Sequence, residues 1–405
     1  MIPKPYYQDE HVTLYCGDCV ATMKTMLDNS VDSIVTDPPY GLGFMGKGWD
    51  ATVPGVEVWI ECLRVLKPGG HLLAFAGTRT QHRMACAIED AGFEIRDMIA
   101  WVYGSGFPKS LDVSKAIDKA AGAEREAVGK RVYAGGHVQN SSESIGFGGC
   151  DPEADSRTIT APATEAARQW QGLGTALKPS LETITMARKP LIGTVAANVM
   201  QYGTGGINVD GCRVGVGESI PGGGGLKGGA NSRHEGWQRE SHATGVATEP
   251  HTQGRWPANL IHDGSDEVLA LFPESVSRTS AAVNRSNGVL KHGGENARPS
   301  HGTTERVTSN EGFDDAGSAA RFFYTAKADS SERRQSKHPT VKPLDLIRYL
   351  VRMVTPEGGV VLDPFLGSGT LCEAARAEHC LSIGIELDAA YCADAVERLR
   401  QGVLF

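Results

Sequence analysis

Short apolar runs alternate with amphipathic helical segments at both ends of this chain, and this alternation limits the folds open to it. Seven runs have the length and side-chain pattern of strands: 13–16, 31–36, 71–76, 95–103, 182–187, 360–362 and 381–385. Helical periodicity or helix stop signals define the segments 20–27, 56–66, 81–91, 344–354, 371–378 and 389–399. Strands that alternate with helices form a mostly parallel sheet with helices on both faces. The sequence therefore predicts a doubly wound α/β fold.

The middle of the chain lacks this alternation. Residues 121–175 and 213–255 are rich in Gly, Ser, Ala and Thr, and residues 284–318 are polar with few large apolar side chains. Such segments bury little apolar surface, so we expect loops or locally disordered chain there. A short helix is predicted at 267–272, between the second and third of these segments.

Composition narrows the class of protein. A chain of 405 residues is long enough for an α/β core with one or two insertions. No apolar stretch approaches the ~20 residues that a membrane span needs, and no cleavable N-terminal signal is visible. Nine scattered cysteines indicate reduced thiols in a cytoplasmic protein. Because the net charge is −8, any contact with nucleic acid must depend on local positive charge, and the stretch 321–348 supplies some.

Two short motifs each follow a predicted strand. Asp37-Pro38-Pro39-Tyr40 follows the second strand, and Phe365-Leu366-Gly367-Ser368-Gly369-Thr370 follows the sixth. Glycines let a backbone pass close to a ligand, and the helix that follows presents free N–H groups. The last strand ends near Glu386, and an acidic residue at that position commonly binds ribose hydroxyls in nucleotide-binding folds. The second motif therefore predicts a nucleotide-type cofactor site.

The pair of motifs resembles the DNA amino-methyltransferases, which use S-adenosylmethionine to methylate an exocyclic base nitrogen. Their order, with the catalytic motif first, resembles the permuted β class of N6-adenine type. This resemblance implies a seven-stranded, Rossmann-like methyltransferase fold, circularly permuted, with a loop-rich target-recognition insertion. It divides the chain into five parts. These are a catalytic half (1–104), a partly flexible insertion (105–178), a sheet strand (179–191), a target-recognition region (192–320) and a cofactor-binding half (321–405).

The first motif suits amine methylation. The target nitrogen's lone pair is delocalised into the base, so the site needs acceptors for both amino hydrogens while the nitrogen rehybridises. Asp37 offers a carboxylate and Pro38 a backbone carbonyl, while Pro38 and Pro39 stiffen the turn. Tyr40 offers a flat face for a base taken out of the duplex. We therefore expect Asp37, Pro38, Pro39 and Tyr40 to form the catalytic site.

The resemblance also implies the cofactor ligands of S-adenosylmethionine. Phe365 would pack on the cofactor adenine, and Asp18 would accept a hydrogen bond from the adenine amino group. The segment from His338 to Pro343 resembles the one before the first helix of the cofactor half, where Lys342 would meet the methionine carboxylate. The full expected set is Asp18, Cys19, Thr340, Lys342, Asp363, Phe365, Gly367, Ser368, Gly369, Thr370 and Glu386, with no metal ion.

Alternative functions use the same motifs. Methylation of cytosine N4 needs the same acceptors, but that family usually has Ser in place of Asp37, so Asp37 favours adenine. Methylation of RNA or of protein glutamine fits the motif order and the long insertion less well. A catalytically inactive DNA-binding regulator fits poorly with intact Asp37, Tyr40, Gly367 and Gly369. Double-stranded DNA is the expected partner. Members of the group that this chain resembles often form a homodimer, but the oligomeric state stays open, as do the recognition sequence and any restriction endonuclease partner.

Overall fold

A central sheet organises the part of the chain that the computed structural model describes, which is residues 4–43, 50–106, 110–130, 158–215, 254–276, 316–326 and 341–400. Its strands and those of two small hairpins are β1 (Tyr7–Gln8), β2 (Val12–Cys16), β3 (Val31–Thr36), β4 (Leu66–Ala76), β5 (Glu94–Val102), β6 (Ala127–Lys130), β7 (Thr158–Thr160), β8 (Leu181–Arg188), β9 (Leu260–His262), β10 (Glu274–Val276), β11 (Ala316–Ser318), β12 (Tyr324–Thr325), β13 (Val360–Asp363) and β14 (Leu381–Glu386).

The helices lie between these strands. They are α1 (Cys19–Met23), α2 (Val56–Val65), α3 (Gln81–Asp90), α4 (Val113–Ala120), α5 (Glu165–Gln169), α6 (Val195–Tyr202), α7 (Asp266–Leu269), α8 (Leu344–Val354), α9 (Thr370–Ala377) and α10 (Ala389–Arg400). Two short 3₁₀ turns, Asp210–Cys212 and Ala319–Phe322, complete the regular structure of the described residues. None of the helices in these ranges is long and apolar enough to cross a membrane.

The order of strands in the sheet is β1-β2-β14-β13-β3-β4-β8-β5-β9-β12. All seven predicted strands are present and adjacent, as β2, β14, β13, β3, β4, β8 and β5. The prediction of a seven-stranded sheet was nevertheless wrong, because β1 extends one edge and β9 and β12 extend the other, giving ten strands. The two strands late in the sequence, β13 and β14, lie between β2 and β3.

Strand direction decides what reaches each edge of the sheet. The central pairs β2–β14, β14–β13, β13–β3 and β3–β4 are parallel. The carboxyl ends of all five strands therefore lie along the same edge of the sheet. β8 is antiparallel to both of its neighbours, β4 and β5. Its first residues therefore lie at the edge where β4 and β5 finish.

Helices cover both faces of the sheet, as the doubly wound prediction requires. Successive residues of β3 and β4 point to opposite faces, since strand side chains alternate. Ile34 and Leu72 pack with α1, α2 and α3 around the buried Trp59, while Val35 and Leu73 pack with α8, α9 and α10. The helices on both faces exclude water from the strands. Ligands can therefore bind at the polar edge of the sheet, where the parallel strands end.

Several boundaries differ from the predictions. α1 is shorter than the predicted helix 20–27, and α7 is shorter than the predicted 267–272. β4 begins at Leu66 rather than at residue 71, because Pro68 and Gly69 are accommodated in an irregular stretch of strand, where Gly69 has φ of +77° and its N–H bonds to Lys189. Residues 121–175 are not all loop: they contain β6, β7 and α5, joined to α4 by the buried Asp118, which pairs with Arg125 at 2.6 Å.

Candidate active site

Residues 37–40, the predicted catalytic turn, follow β3 and are held in place by two side chains outside the motif. β3 is buried along its whole length, which fixes where residues 37–40 leave the sheet. The Asp50 carboxylate accepts from the N–H groups of Tyr40 and Gly41, at 2.7 and 2.9 Å. The Thr80 hydroxyl donates to the Tyr40 carbonyl at 2.6 Å. These bonds satisfy backbone groups that the proline-rich turn cannot pair with itself.

Four side chains from three distant segments meet at this turn: Asp37, Tyr40, Glu182 and Lys342. We call them the catalytic cluster, after the role predicted for Asp37 and Tyr40. Lys342 Nζ lies 2.6 Å from Asp37 Oδ2, 3.2 Å from Glu182 Oε2 and 3.1 Å from Tyr40 Oη. The Tyr40 hydroxyl lies 2.8 Å from Asp37 Oδ1 and 3.0 Å from Glu182 Oε2. The Lys342 ammonium also lies 4.9 Å from the centre of the Phe75 ring. The four side chains therefore form a continuous polar network that packs against the Phe75 ring.

The network controls the protonation of its members. Burial by itself lowers the pKa of Lys342, but the Asp37 and Glu182 carboxylates outweigh burial and raise it, so the amine stays charged. Burial, followed by the same two carboxylates, raises the pKa of Tyr40 well above its usual range. Burial and Glu182, with which it forms a hydrogen bond, raise the pKa of Tyr103 to about 12. Both phenols therefore remain hydrogen-bond donors at neutral pH.

The second motif forms a tight loop between β13 and α9, and we call residues 363–370 the cofactor loop, after their predicted role. Gly367 and Gly369 have φ of +55° and +83°, a region that favours glycine. The Gly367 N–H donates to Glu386 Oε2 at 2.9 Å. Leu366 packs directly on Gly384 of β14, where an added Cβ would lie 2.5 Å from its Cδ2. The loop therefore runs close against the neighbouring strand.

Asp363 joins the cofactor loop to the catalytic turn. Its Oδ1 accepts from the Thr36 hydroxyl at 2.6 Å and from the Phe365 N–H at 3.0 Å. Burial raises the pKa of Asp363 to about 7, although both hydrogen bonds act in the opposite direction. Since β13 pairs with β3, the strands before Asp37 and Gly367 lie side by side in the sheet.

The other predicted cofactor residues near the sheet edge lie on β2, α1 and β14. β14 and β2 pair with Glu386 opposite Cys16, and the Gly17 N–H donates to the Glu386 carbonyl at 2.8 Å. Asp18 is exposed and caps α1 by accepting from the Ala21 N–H at 2.8 Å. Burial raises the pKa of Cys19, the first residue of α1, to about 11. Asp18 and Glu386 therefore share one edge with the cofactor loop.

Two predicted residues have their hydroxyls engaged inside the protein. Ser368 and Thr370 are buried, and their hydroxyl oxygens lie 3.2 Å apart. Arg398 of α10 donates a hydrogen bond to each hydroxyl. Arg398 also pairs with Glu373 at 2.5 Å. Thr340 lies outside the described residues. Among the described residues, no group of three His, Cys, Asp or Glu is arranged to hold a metal ion.

Sequence reasoning did not identify Glu182 or Asp50 as functional residues. Glu182 was placed in a predicted strand, but an alternating polar residue on a strand is usually solvent-facing. Only the antiparallel direction of β8 brings it to the edge where Asp37 lies. Asp50 follows the turn closely in sequence, and its burial at 2% exposure is the signal that sequence alone does not give.

Comparison with protein families identifies the family of the chain. A family model described as DNA methylase, of the N6/N4 type, matches residues 31–145 and 237–397. These two ranges include both motifs and more than half of the chain. The chain belongs to the DNA methylase family. Within it, this methylase is similar to the type II methyltransferase M.HindIII of Haemophilus influenzae, with 22% identity over 95% of this chain and 94% of that protein.

Other similarities to the methylase are partial or distant. It is 32% identical to the type II methyltransferase M.HpaI of Haemophilus parainfluenzae over 116 residues, which is 26% of this chain and 36% of that protein. The methylase thus spans only about a third of the length of that relative. Among solved structures, a PvuII DNA methyltransferase described as cytosine-N4-specific aligns over 98% of this chain and 88% of that chain, with 13% identity and a TM-score of 0.45.

Proposed function

We propose that this methylase transfers a methyl group from S-adenosylmethionine to N6 of an adenine extruded from double-stranded DNA. The observation that carries the proposal is the bond between Thr36 and Asp363 at 2.6 Å, on paired strands β3 and β13. It holds the proposed catalytic turn beside the proposed cofactor loop. Methyl donor and target amine would then meet at the polar edge of one sheet, where open α/β sheets bind ligands.

The residues at this edge fit the proposed cofactor. S-adenosylmethionine supplies an electrophilic methyl group on a sulfonium centre. Glu386, at the end of β14, offers carboxylate oxygens suited to ribose hydroxyls, and the half-buried Phe365 offers an aromatic face suited to the cofactor adenine. Gly367 and Gly369 let the loop backbone approach a ligand closely.

The catalytic cluster suits the amine chemistry. Asp37 and the Pro38 carbonyl would accept the two amino hydrogens, which directs the nitrogen lone pair at the methyl carbon. As the N–C bond forms and the S–C bond breaks, S-adenosylhomocysteine would leave and positive charge would develop on the amine, which would then release one proton to the Asp37 carboxylate or to water. In formal charge the cluster has two carboxylates against one ammonium, so it stabilises that developing positive charge. Tyr40 would stack on the extruded base.

The direct test is chemical identification of the product. Duplex DNA is incubated with the protein and S-adenosylmethionine, digested to nucleosides and analysed by mass spectrometry. We expect N6-methyladenine, and none in a parallel reaction with Asp37→Ala. N4-methylcytosine alone would overturn the adenine assignment while leaving DNA amine methylation in place, and no methylated base would overturn the proposed function.

A further inference from the structure

The catalytic cluster contains a positive group whose position conflicts with the proposed reaction, on which this inference rests. Lys342 Nζ lies 2.6 Å from Asp37 Oδ2, so an ammonium already occupies the acceptor that the target amine requires. We propose that Glu182 is a positioning residue that takes over Lys342 when the target amine binds Asp37. Glu182 would thereby free the catalytic carboxylate without leaving a buried charge unpaired.

The hydrogen-bond inventory supports this exchange. A lysine ammonium has three donors, and Lys342 has three acceptors within 3.2 Å: Asp37, Glu182 and Tyr40. The shortest of these contacts, to Asp37, is the one that the target amine must replace. The contact with Glu182 is 3.2 Å, so a small displacement of Nζ converts it into the dominant ion pair.

Burial makes the second carboxylate necessary. The Lys342 side chain is only 10% exposed, and part of its surroundings is the apolar Phe75 ring. A buried ammonium that loses its only counter-ion is strongly destabilised. If Asp37 were the sole partner, binding of the target amine would carry that penalty. Glu182 removes it because the ammonium remains paired in both states.

Glu182 is itself held in a fixed position. It is the second residue of β8 and lies opposite Trp101 of β5 in the antiparallel ladder. The Tyr103 hydroxyl forms a hydrogen bond with its side chain. Tyr40 has a single hydroxyl hydrogen and lies near both carboxylates, so it cannot satisfy both of them at once. Lys342 and Tyr103 are therefore the groups that orient the Glu182 carboxylate.

A double-mutant cycle tests whether Glu182 acts through Lys342. The four proteins are the wild type, Glu182→Gln, Lys342→Met and the double variant. Each is assayed for methyl transfer to duplex DNA, with kcat and KM for DNA resolved, and for S-adenosylmethionine binding by calorimetry. We expect Glu182→Gln to lower kcat/KM for DNA roughly 10- to 100-fold, the range for a lost charged hydrogen bond. The dissociation constant of the cofactor should not change.

The coupling decides the outcome. In the Lys342→Met background, the same Glu182 substitution should change kcat/KM by no more than about twofold, since its partner is gone. A penalty that persists in full would overturn the inference, because Glu182 would then act on the substrate or on folding. A higher dissociation constant for the cofactor in Glu182→Gln would also overturn the inference, since Lys342 would then bind the cofactor rather than Asp37.

Two controls separate this role from a loss of structure. Glu94→Gln removes the ion pair at 2.6 Å between Glu94 and Arg188, at the end of β8 away from Glu182. This substitution should leave kcat/KM for DNA unchanged. Glu182→Asp keeps the carboxylate and should recover part of the activity, whereas failure to exceed Glu182→Gln would contradict a counter-ion role. A wild-type protein that methylates no DNA would overturn both the proposed function and this inference, whereas a persistent penalty would overturn the inference alone.

Discussion

The catalytic cluster and the cofactor loop lie at the same edge of one sheet but are built in opposite ways. The cluster gathers Asp37, Glu182 and Lys342 from three distant segments and holds them by side-chain ion pairs. The loop is almost entirely local, and it is shaped by backbone conformation and by close packing on β14. The cluster therefore depends on the whole sheet, while the loop depends on a strand, a turn and a helix. Substitutions should affect the two regions differently.

The largest expected effect is in the catalytic cluster. Asp37→Ala should reduce methyl transfer by at least about a thousandfold, because the main acceptor for the target amine is lost. Binding of S-adenosylmethionine should survive, since the proposed cofactor ligands lie in other segments. Initial rates on duplex DNA and calorimetry with the cofactor measure the two effects. Loss of cofactor binding by a protein that still unfolds cooperatively would show that the two regions are not separate.

The reverse pattern is expected in the cofactor region. Phe365→Ala and Glu386→Ala should each weaken S-adenosylmethionine binding by about 1–3 kcal/mol, through a lost aromatic contact and lost hydrogen bonds. Calorimetry gives the dissociation constants. Leu387→Ala is the matched control, because Leu387 follows Glu386 directly but is 68% exposed and should not affect binding. Unchanged constants for both test variants would mean that the cofactor binds elsewhere.

A smaller effect separates the loop's backbone conformation from its packing. Gly369→Ala and Gly358→Ala both place a side chain at positive φ, +83° and +69°, which costs about 1–2 kcal/mol. At Gly369 the new Cβ would also lie 3.1 Å from Ala395 Cβ, whereas at Gly358 nothing lies within 4 Å. Urea unfolding should therefore show a greater loss of unfolding free energy for Gly369→Ala. Equal losses would contradict close packing of the loop against α10.

A pH-dependent effect concerns Asp363, which connects the two regions. Its pKa is about 7 in the folded protein, above the ordinary value of 3.8, so the folded state binds the proton more tightly than the unfolded state. Its contribution to stability is fully present below the unfolded pKa and is lost as pH rises through about 7.

Asp363→Asn mimics the protonated form and should remove that dependence. As pH rises, the unfolding free energy of the wild type should fall relative to that of Asp363→Asn. The fall should be at most about 1.4 kcal/mol per pH unit. Urea unfolding at a series of pH values between 4 and 8 measures it. A difference that does not vary with pH would show that Asp363 is not buried in its protonated form.

The same contrast explains what could be predicted from the sequence. The cofactor loop was recognisable because a strand, two glycines and a helix are contiguous, and Glu386 follows at the end of the next strand. The seven central strands were recognisable because each is an apolar run. Two- and three-residue strands such as β1, β9 and β12 carry no periodic signal, so the width of the sheet was underestimated.

Glu182 and the contact between Lys342 and Asp37 could not be predicted for a different reason. Both depend on strand direction and order, which are properties of the assembled sheet rather than of any local segment. The sequence placed Lys342 beside the cofactor through family resemblance, and that role stays a prediction. The structure adds that its ammonium contacts two carboxylates at the catalytic turn.

The strand order has a consequence for how the chain is made. β1 and β2 are synthesised early but contact the rest of the sheet only through β14, and β14 is joined to β3 only through β13. During translation the nascent chain therefore carries two separate pieces of sheet until residues 360–386 leave the ribosome. Asp37 and Glu182 likewise gain their shared ion-pair partner, Lys342, only after that later part of the chain has been synthesised. The sheet and the ion pairs at its polar edge therefore cannot be completed before residues 342–386 have been synthesised.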